Sequence, residues 1–318
     1  MSREQILKIA MVVCVVVLLC AVIITSTGLF GSSGIGGYAN ADKYTAGDTE
    51  LSREITGEIK NLEISWTSGK VTVAYHAENT ITLRESAGRA LSEDEKLQWW
   101  LDGDTLRIQF TKPGIRWNMP GKELTVTLPE GIAFRDVNIQ TTSGDVAIPA
   151  LKAEKMDIGS TSGDLKVEAE TARAVLGSTS GDMTIRLSGN TDSVTLGSTS
   201  GRIGLEAEKA GSIKAGSTSG GISIAASEAD MVKAGSTSGS IYAELRKINT
   251  LELSTTSGNV TVKLPAEPGF TAKVGTTSGS FTYDIALAKN GDRYVCGDGS
   301  AKVEIGTTSG DVRMEAAD

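Results

Sequence analysis

Aromatic side chains are scarce in this sequence, and histidine is almost absent. Phe, Trp and Tyr together make up 5% of the 318 residues, and the single histidine is His76. The scarcity of large rings argues against a bulky aromatic core and favours thin, regular β layers of small and β-branched residues. A Ser-His-Asp or Cys-His catalytic site would have to use His76, and no nucleophile motif surrounds it. We therefore expect no enzyme, no metal site and no cofactor.

Cysteine and excess positive charge are also lacking. Cys14 and Cys20 lie in an apolar N-terminal segment and Cys296 is alone in the rest of the chain, so the body has no pair for an intrachain disulfide. The net charge is −8, whereas nucleic-acid binding requires a basic surface. Nucleic acid is therefore excluded as a partner.

One long apolar run is present, at residues 9–24. With its flanks it reaches the roughly 20 residues that span a bilayer, and Arg3 and Lys8 before it favour a cytoplasmic N-terminus. A cleaved signal peptide, a lipoprotein signal and a buried core helix are the alternatives. We predict a single-pass protein of the cell membrane with an extracytoplasmic body: a cytoplasmic N-terminus at residues 1–8, a transmembrane signal-anchor at residues 9–30 and a flexible linker at residues 31–49.

The rest of the chain is dominated by a repeated Thr-Ser-Gly motif. It occurs ten times, and from Gly144 to Gly279 its glycines are 18 to 21 residues apart. So regular a period indicates that each repeat is one coil of a stack. We predict an all-β fold in which residues 124–318 form a parallel β-solenoid of ~19-residue coils.

The apolar pattern inside each repeat places its side chains. The seventh and fifth residues before the glycine are apolar, as are the second and fourth after it, so the inward phase slips by one residue at a Ser-Gly corner. This phase predicts that the serine before each glycine, such as Ser162, points inward with the Ser or Thr three before the glycine. Asp follows the glycine in only four coils, which favours hydrogen bonds in the turn over a calcium site.

The same phase places the motif threonines outside, next to a column that is glycine in most coils. This strip is predicted either to serve folding alone or to be a docking face for a flat partner, and an ice-binding role is the remote third alternative. The threonines of the candidate interaction surface are Thr142, Thr161, Thr179, Thr199, Thr218, Thr237, Thr256, Thr277 and Thr308.

Residues 50–123 are predicted to form an irregular β cap over the first coil. A hairpin with an Asp102-Gly103 turn is expected within it, and all four tryptophans fall here. The tryptophans either close the open end of the stack or line a ligand site. They are Trp66, Trp99, Trp100 and Trp117. A second irregular segment, residues 289–301, is predicted to be a loop.

The motifs resemble those of a known bacterial family. The segments 159–164 and 177–182, the entry Ile64-Ser65-Trp66-Thr67-Ser68-Gly69 and the closing segment 297–312 are similar to the candidate-adhesin β-strand-repeat family DUF4097. The resemblance covers about residues 55 to 315. It implies a right-handed, single-stranded parallel β-helix in a bacterial surface protein and offers no catalytic residues.

These expectations converge on a membrane-anchored surface module. Acyltransferases of the hexapeptide type and polysaccharide lyases are also solenoids, but the coils here hold no histidine and no acid cluster in register. We expect a non-catalytic adhesin or binding module whose partner is an envelope protein or a glycan. An envelope-stress sensing or regulatory component and a passive structural spacer are the alternatives.

Overall fold

The computed structural model describes residues 45–46, 50–53, 59–112 and 119–317. These residues form an all-β protein with no helix, and hence no helix that could cross a membrane. The predicted signal-anchor at residues 9–30 and most of the predicted linker lie outside the described residues. The described residues divide into two compact units, one ending at Gly181 and the other beginning at Asp182.

The first unit contains ten strands. They are β1 (Thr45–Ala46), β2 (Glu50–Arg53), β3 (Asn61–His76), β4 (Ile81–Ala87), β5 (Gln98–Asp102), β6 (Thr105–Gln109), β7 (Lys122–Pro129), β8 (Ala133–Ile148), β9 (Lys152–Ser160) and β10 (Leu165–Ser178).

The second unit contains twelve strands. They are β11 (Met183–Ser198), β12 (Ile203–Ser217), β13 (Ile222–Ser236), β14 (Ile241–Leu245), β15 (Ile248–Thr255), β16 (Val260–Leu264), β17 (Gly269–Thr276), β18 (Phe281–Asp284), β19 (Ala288–Asn290), β20 (Arg293–Gly297), β21 (Ala301–Thr307) and β22 (Val312–Ala316).

Consecutive coils, named here after their motif glycines, pair in parallel and in register. Strand β12 pairs with β13 so that Gly216 lies opposite Gly235 and Ile203 opposite Ile222. The apolar columns predicted from the sequence are buried, as the alternating burial of β12 illustrates. Removing these columns from water is the main favourable term in holding the coils together. The prediction of stacked, parallel β coils is confirmed.

The corner of each coil differs from its predicted form. The Ser or Thr three before the glycine is buried in most coils, and in the Gly163, Gly181, Gly220, Gly239 and Gly258 coils its hydroxyl accepts the glycine N–H, as between Ser217 Oγ and Gly220 N at 2.8 Å. The serine directly before the glycine, such as Ser219, is exposed, so its predicted inward orientation is wrong. The reason is that the motif threonine and serine both lie on the outer side of the corner. The glycine is then the next residue in an inward position.

The motif glycine is the point where successive coils come closest. A Cβ on Gly220 would lie 1.9 Å from the carbonyl oxygen of Gly201, and one on Gly239 would lie 2.0 Å from that of Gly220. No side chain fits at such distances, so the repeat of glycine is explained by backbone stacking.

The order of coils in the second unit differs from their order in the chain. Strands β21 and β22, which form the Gly310 coil, pair with β15 and β16 on one side and with β17 and β18 on the other. The Gly310 coil therefore lies between the Gly258 and Gly279 coils, and the Gly279 coil ends the stack. Residues 289–301, predicted as a loop, contribute instead to an antiparallel hairpin of β19 and β20, whose second strand pairs with β17.

The first unit shows a similar exchange. Strand β3, with its motif glycine Gly69, pairs in register with β8, so residues 61–76 form a coil although the sequence assigned residues 50–123 to an irregular cap. Beyond it, β6 and β7 form the next layer and pair with β5 and β4 in antiparallel fashion. The hairpin expected at Asp102-Gly103 is the one joining β5 and β6, with Gly103 at φ +61°.

Candidate interaction surfaces

The single histidine, His76, is the last residue of strand β3. His76 Nε2 lies 2.6 Å from the carbonyl oxygen of Thr80, within hydrogen-bonding distance. Within the described residues, no three His, Cys, Asp or Glu side chains are grouped so as to hold a metal ion. The absence of catalysis and of a cofactor stays a prediction from the sequence.

The motif aspartates accept hydrogen bonds from the neighbouring coil, whereas the sequence predicted hydrogen bonds within their own turn. Asp145 Oδ1 accepts the backbone N–H of Asp164 in the next coil at 2.9 Å, and Asp182 Oδ1 accepts that of Arg202 at 2.8 Å. At the same position Ser240 Oγ accepts the N–H of Asn259 at 3.2 Å. Because Asp, Ser and Asn perform the same bridging role, this column needs an acceptor rather than a charge.

The predicted threonine strip is only partly exposed. Thr142 and Thr277 are exposed, whereas the other seven motif threonines are half-buried. The neighbouring glycine column is buried, and a Cβ on Gly159 would meet the amide oxygen of the Gln140 side chain at 2.2 Å. The threonine carbonyls accept the N–H of the motif serine in the adjacent coil, as from Ser219 to Thr199 at 2.8 Å. The most exposed side chains of the corner are therefore the serines.

The tryptophans of the candidate surface lie mostly in the core. Trp66 is 3% exposed, packs edge-on against Phe110 at 4.9 Å between ring centroids, and donates its indole N–H to the carbonyl oxygen of Lys122 at 2.8 Å. Trp99 is 5% exposed, and Trp100 is half-buried beneath the guanidinium of Arg107. Trp117 lies outside the described residues. The described tryptophans thus close the end of the first unit instead of lining an open site.

A buried ion pair that the sequence did not suggest lies beside Trp66. The Lys122 ammonium is 2.6 Å from Glu85 Oε1, and the two side chains are 0% and 1% exposed. Lys122 Nζ also donates to the carbonyl oxygens of Glu95 and Phe110, and Glu85 accepts the N–H of Leu97. Burial lowers the pKa of Lys122, an effect that the Glu85 carboxylate opposes. This network ties β4 and β7 to the irregular segment between β4 and β5.

The second unit carries an open groove on the outer face of the strand segments that follow the corner. Its volume is about 680 Å³. The groove is lined by Asp182, Met183, Thr184, Arg202, Ile203, Gly204, Gly221, Ile222, Ser223, Ser240, Ile241, Tyr242, Asn259 and Thr261. None of these residues belongs to the threonine strip or to the tryptophan set.

Two glycines keep this groove open, and the fold does not require them. A Cβ on Gly204 would meet its nearest atom, the carbonyl oxygen of Met183, at 3.5 Å, and one on Gly221 would meet that of Ser240 at 3.4 Å. Both distances allow ordinary van der Waals contact, unlike the 2.0 Å found at Gly239. The sequence signal for the groove is therefore one glycine in each of two neighbouring outward columns.

The charges of the groove are balanced, and its floor is neutral. Arg202 Nη2 lies 3.1 Å from Asp182 Oδ2, although the arginine side chain is 81% exposed. Tyr242 donates its hydroxyl to Glu244 at 2.5 Å, and this hydrogen bond is the main reason why the pKa of Tyr242 is raised. The hydroxyl of Ser223 lies between these two places, and the amide of Asn259 lies one coil beyond Tyr242. Such a surface suits an uncharged ligand rich in hydrogen-bonding groups.

A search of the solved structures finds similar proteins of low sequence identity. A crystal structure of a candidate cell adhesion protein from Clostridium sporogenes matches with 12% identity over 84% of this chain and 98% of that chain, with a TM-score of 0.20. A candidate adhesin from Bacteroides fragilis matches with 18% identity and a TM-score of 0.42, and one from Parabacteroides distasonis with 14% and 0.40. Each of the latter two covers 69% of this chain and 98% of its own. A search of the curated proteins finds no match.

The family comparison covers nearly all of the described residues. The family model described as Toastrack DUF4097 matches residues 59–315, which include both units and every Thr-Ser-Gly motif of the chain. The resemblance noted in the sequence is thereby confirmed, and the chain belongs to the Toastrack DUF4097 family.

Proposed function

We propose that this chain is a non-catalytic binding module of the bacterial envelope, held at the cell membrane by residues 9–30 with its β coils on the extracytoplasmic side. The proposal takes the coils to wind as a right-handed, single-stranded β-helix, as the family resemblance implies. The observation that carries it is the groove of the second unit, kept open by glycines that backbone stacking does not require.

The ligand we propose for the groove is an uncharged segment of an envelope glycan. The groove offers hydroxyl and amide groups along its floor, the ring of Tyr242 at one side and the paired charges of Arg202 and Asp182 at the other. Sugars present hydroxyl groups and apolar ring faces, which such donors, acceptors and aromatic surfaces complement. An envelope protein is the second possible occupant, and the binding experiment includes it.

The test is a binding measurement with the full chain in lipid nanodiscs, against purified cell-wall glycan and against envelope protein fractions. Gly204→Tyr fills the groove, because its Cβ has room and its side chain projects into the cavity. Lys214→Tyr is the matched control, since it adds the same ring to an exposed position on the strand segment before the corner.

We expect saturable glycan binding by the wild-type chain and by Lys214→Tyr, and its loss in Gly204→Tyr with an unchanged melting temperature. Saturable binding to an envelope protein alone, again lost in Gly204→Tyr, would replace the glycan by a protein partner. Binding that Gly204→Tyr retains would move the site elsewhere. No saturable binding to either would refute the proposal and favour a passive spacer.

A further inference from the structure

The terminal coil of the second unit exposes side chains that every other coil of that unit buries. Phe281 and Tyr283 occupy the two inward columns after the corner, where the neighbouring coil has Val312 and Met314, both fully buried. Phe281 is only half-buried, and Tyr283 is 49% exposed. The cause is the exchanged coil order, which leaves the Gly279 coil without a further coil on its outer side among the described residues, where only the hairpin of β19 and β20 covers part of β17.

These side chains form a compact aromatic cluster. The ring centroids of Phe281 and Tyr294 are 5.0 Å apart, those of Phe281 and Tyr283 are 5.4 Å apart, and those of Tyr283 and Tyr294 are 6.0 Å apart. In a chain with 5% aromatic residues, three rings at one exposed edge concentrate apolar surface there. Exposed clusters of this kind mark interaction sites.

The backbone beside the cluster is an open strand edge. Within the described residues, β18 pairs with β22 on one side, and nothing described pairs with its other side. The hairpin of β19 and β20 covers β17 only from Gly269 to Ala272. An edge with free N–H and C=O groups is a template for another strand, and proteins that do not use such an edge usually cover it.

We propose that this edge is a self-association surface, and that β18 pairs in antiparallel fashion with β18 of a second copy of this chain. An exposed coil edge matches another coil in strand length and strand spacing. Two identical edges meet through a two-fold axis, which makes their strands antiparallel.

The cross-strand pairs of side chains favour one register. A two-fold axis through Thr282 places Phe281 opposite Tyr283 of the second copy, so that the aromatic columns of both copies stay on one face. The same axis places Thr282 opposite its own copy on the outer face, and Ser280 opposite Asp284. Aromatic pairs and threonine pairs are favourable across antiparallel strands. Moving the axis to Asp284 would set two carboxylates against each other, which disfavours that register.

The expected association is weak. A fully buried aromatic side chain covers roughly 150–250 Å², and the three rings of each copy are already partly covered by one another and by the strand. The contact therefore falls below the standard interface of about 1,600 Å² and belongs to the transient class. Such a contact is best detected by covalent trapping.

The test uses the full chain in nanodiscs and in detergent, with Cys14→Ser and Cys20→Ser as background; Cys296 is 2% exposed and is retained. Thr282→Cys places a thiol on the proposed axis at an exposed position. Arg313→Cys is the matched control, since Arg313 is also exposed and lies beside Thr282 one coil further from the edge.

Under mild oxidation we expect a disulfide-linked dimer from Thr282→Cys and none from Arg313→Cys. Adding Tyr283→Lys to Thr282→Cys should abolish the dimer while the melting temperature stays unchanged, because the tyrosine is half exposed. Equal crosslinking of both cysteine variants, no crosslinking of either, or a crosslink only to a different envelope protein would each overturn the proposal. The outcome does not depend on ligand binding in the groove.

Discussion

The stacking of motif glycines makes a sharp prediction about two neighbouring glycines of the second unit. Gly239→Ala places a Cβ 2.0 Å from the carbonyl oxygen of Gly220, whereas Gly221→Ala places one 3.4 Å from that of Ser240. Neither glycine has a positive φ, so backbone strain does not distinguish them. The two substitutions are chemically identical and differ only in the distance to the adjacent coil.

The magnitude follows from the displacement that the clash demands. Because Cβ atoms rarely approach a neighbour closer than 3.0 Å, the Gly239 and Gly220 coils must separate locally by about 1 Å. That movement stretches the bonds from Ser238 N to Thr218 O, now 2.9 Å, and from Thr237 N to Ser217 O, now 3.3 Å. Strain of about 1–3 kcal/mol and two hydrogen bonds of about 1 kcal/mol each give a loss of about 3–5 kcal/mol.

Thermal and urea unfolding measure this loss, and amide hydrogen exchange locates it. With an unfolding entropy of about 2.1 cal/mol/K for each of the 259 described residues, the loss lowers the melting temperature by about 5–9 °C. Faster exchange should be confined to the Gly220 and Gly239 coils. Gly221→Ala should be neutral or stabilising by about 0.4–1 kcal/mol, because alanine restricts the unfolded chain. Equal stability of the two variants would refute the stacking argument.

Two further changes test the corner and the cap. Ser217→Ala removes the hydroxyl that accepts the N–H of Gly220 and should cost about 1–3 kcal/mol in urea unfolding, whereas Ser219→Ala, at the exposed serine, should cost nothing measurable. Lys122→Met leaves the buried Glu85 carboxylate without its ionic partner and should lower the free energy of unfolding by about 3–5 kcal/mol near neutral pH. The exposed pair variant Lys152→Met should cost at most about 1 kcal/mol, and an equal loss in the two variants would contradict the argument.

Much of the coil could be predicted from the sequence because its burial pattern has a period of two. The columns of Ile203 and Leu205, and of Ile213 and Ala215, lie where the alternation placed them. The orientation of Ser219 could not be derived in the same way. The inward–outward alternation is interrupted at the corner. A phase shift of one residue and a phase shift of three residues bury the same apolar columns, so the apolar pattern does not distinguish them.

The order of coils at the stack ends was hidden for a different reason. The edge of every parallel coil presents the same backbone N–H and C=O groups. Nothing in the sequence of the Gly310 coil therefore indicates that the Gly279 coil stacks on its outer side. The ion pair of Lys122 and Glu85 was equally hidden, because its partners lie in β7 and β4, 37 residues apart in the sequence. Both features arise from long-range contacts that no local periodicity records.

The glycines of this chain separate the requirements of folding from those of binding. At Gly220, Gly239 and the equivalent motif positions, the backbone of the next coil occupies the place of a Cβ, so stacking alone accounts for the residue. At Gly204 and Gly221 the same space is open, and a larger side chain could have been carried without cost to the stack. The repeat tolerates large side chains in its outer columns but has none at Gly204 and Gly221. Folding therefore does not explain the groove. The motif that dominates the sequence therefore describes how the chain stacks, and the two glycines beside it are the feature on which the proposed binding site rests.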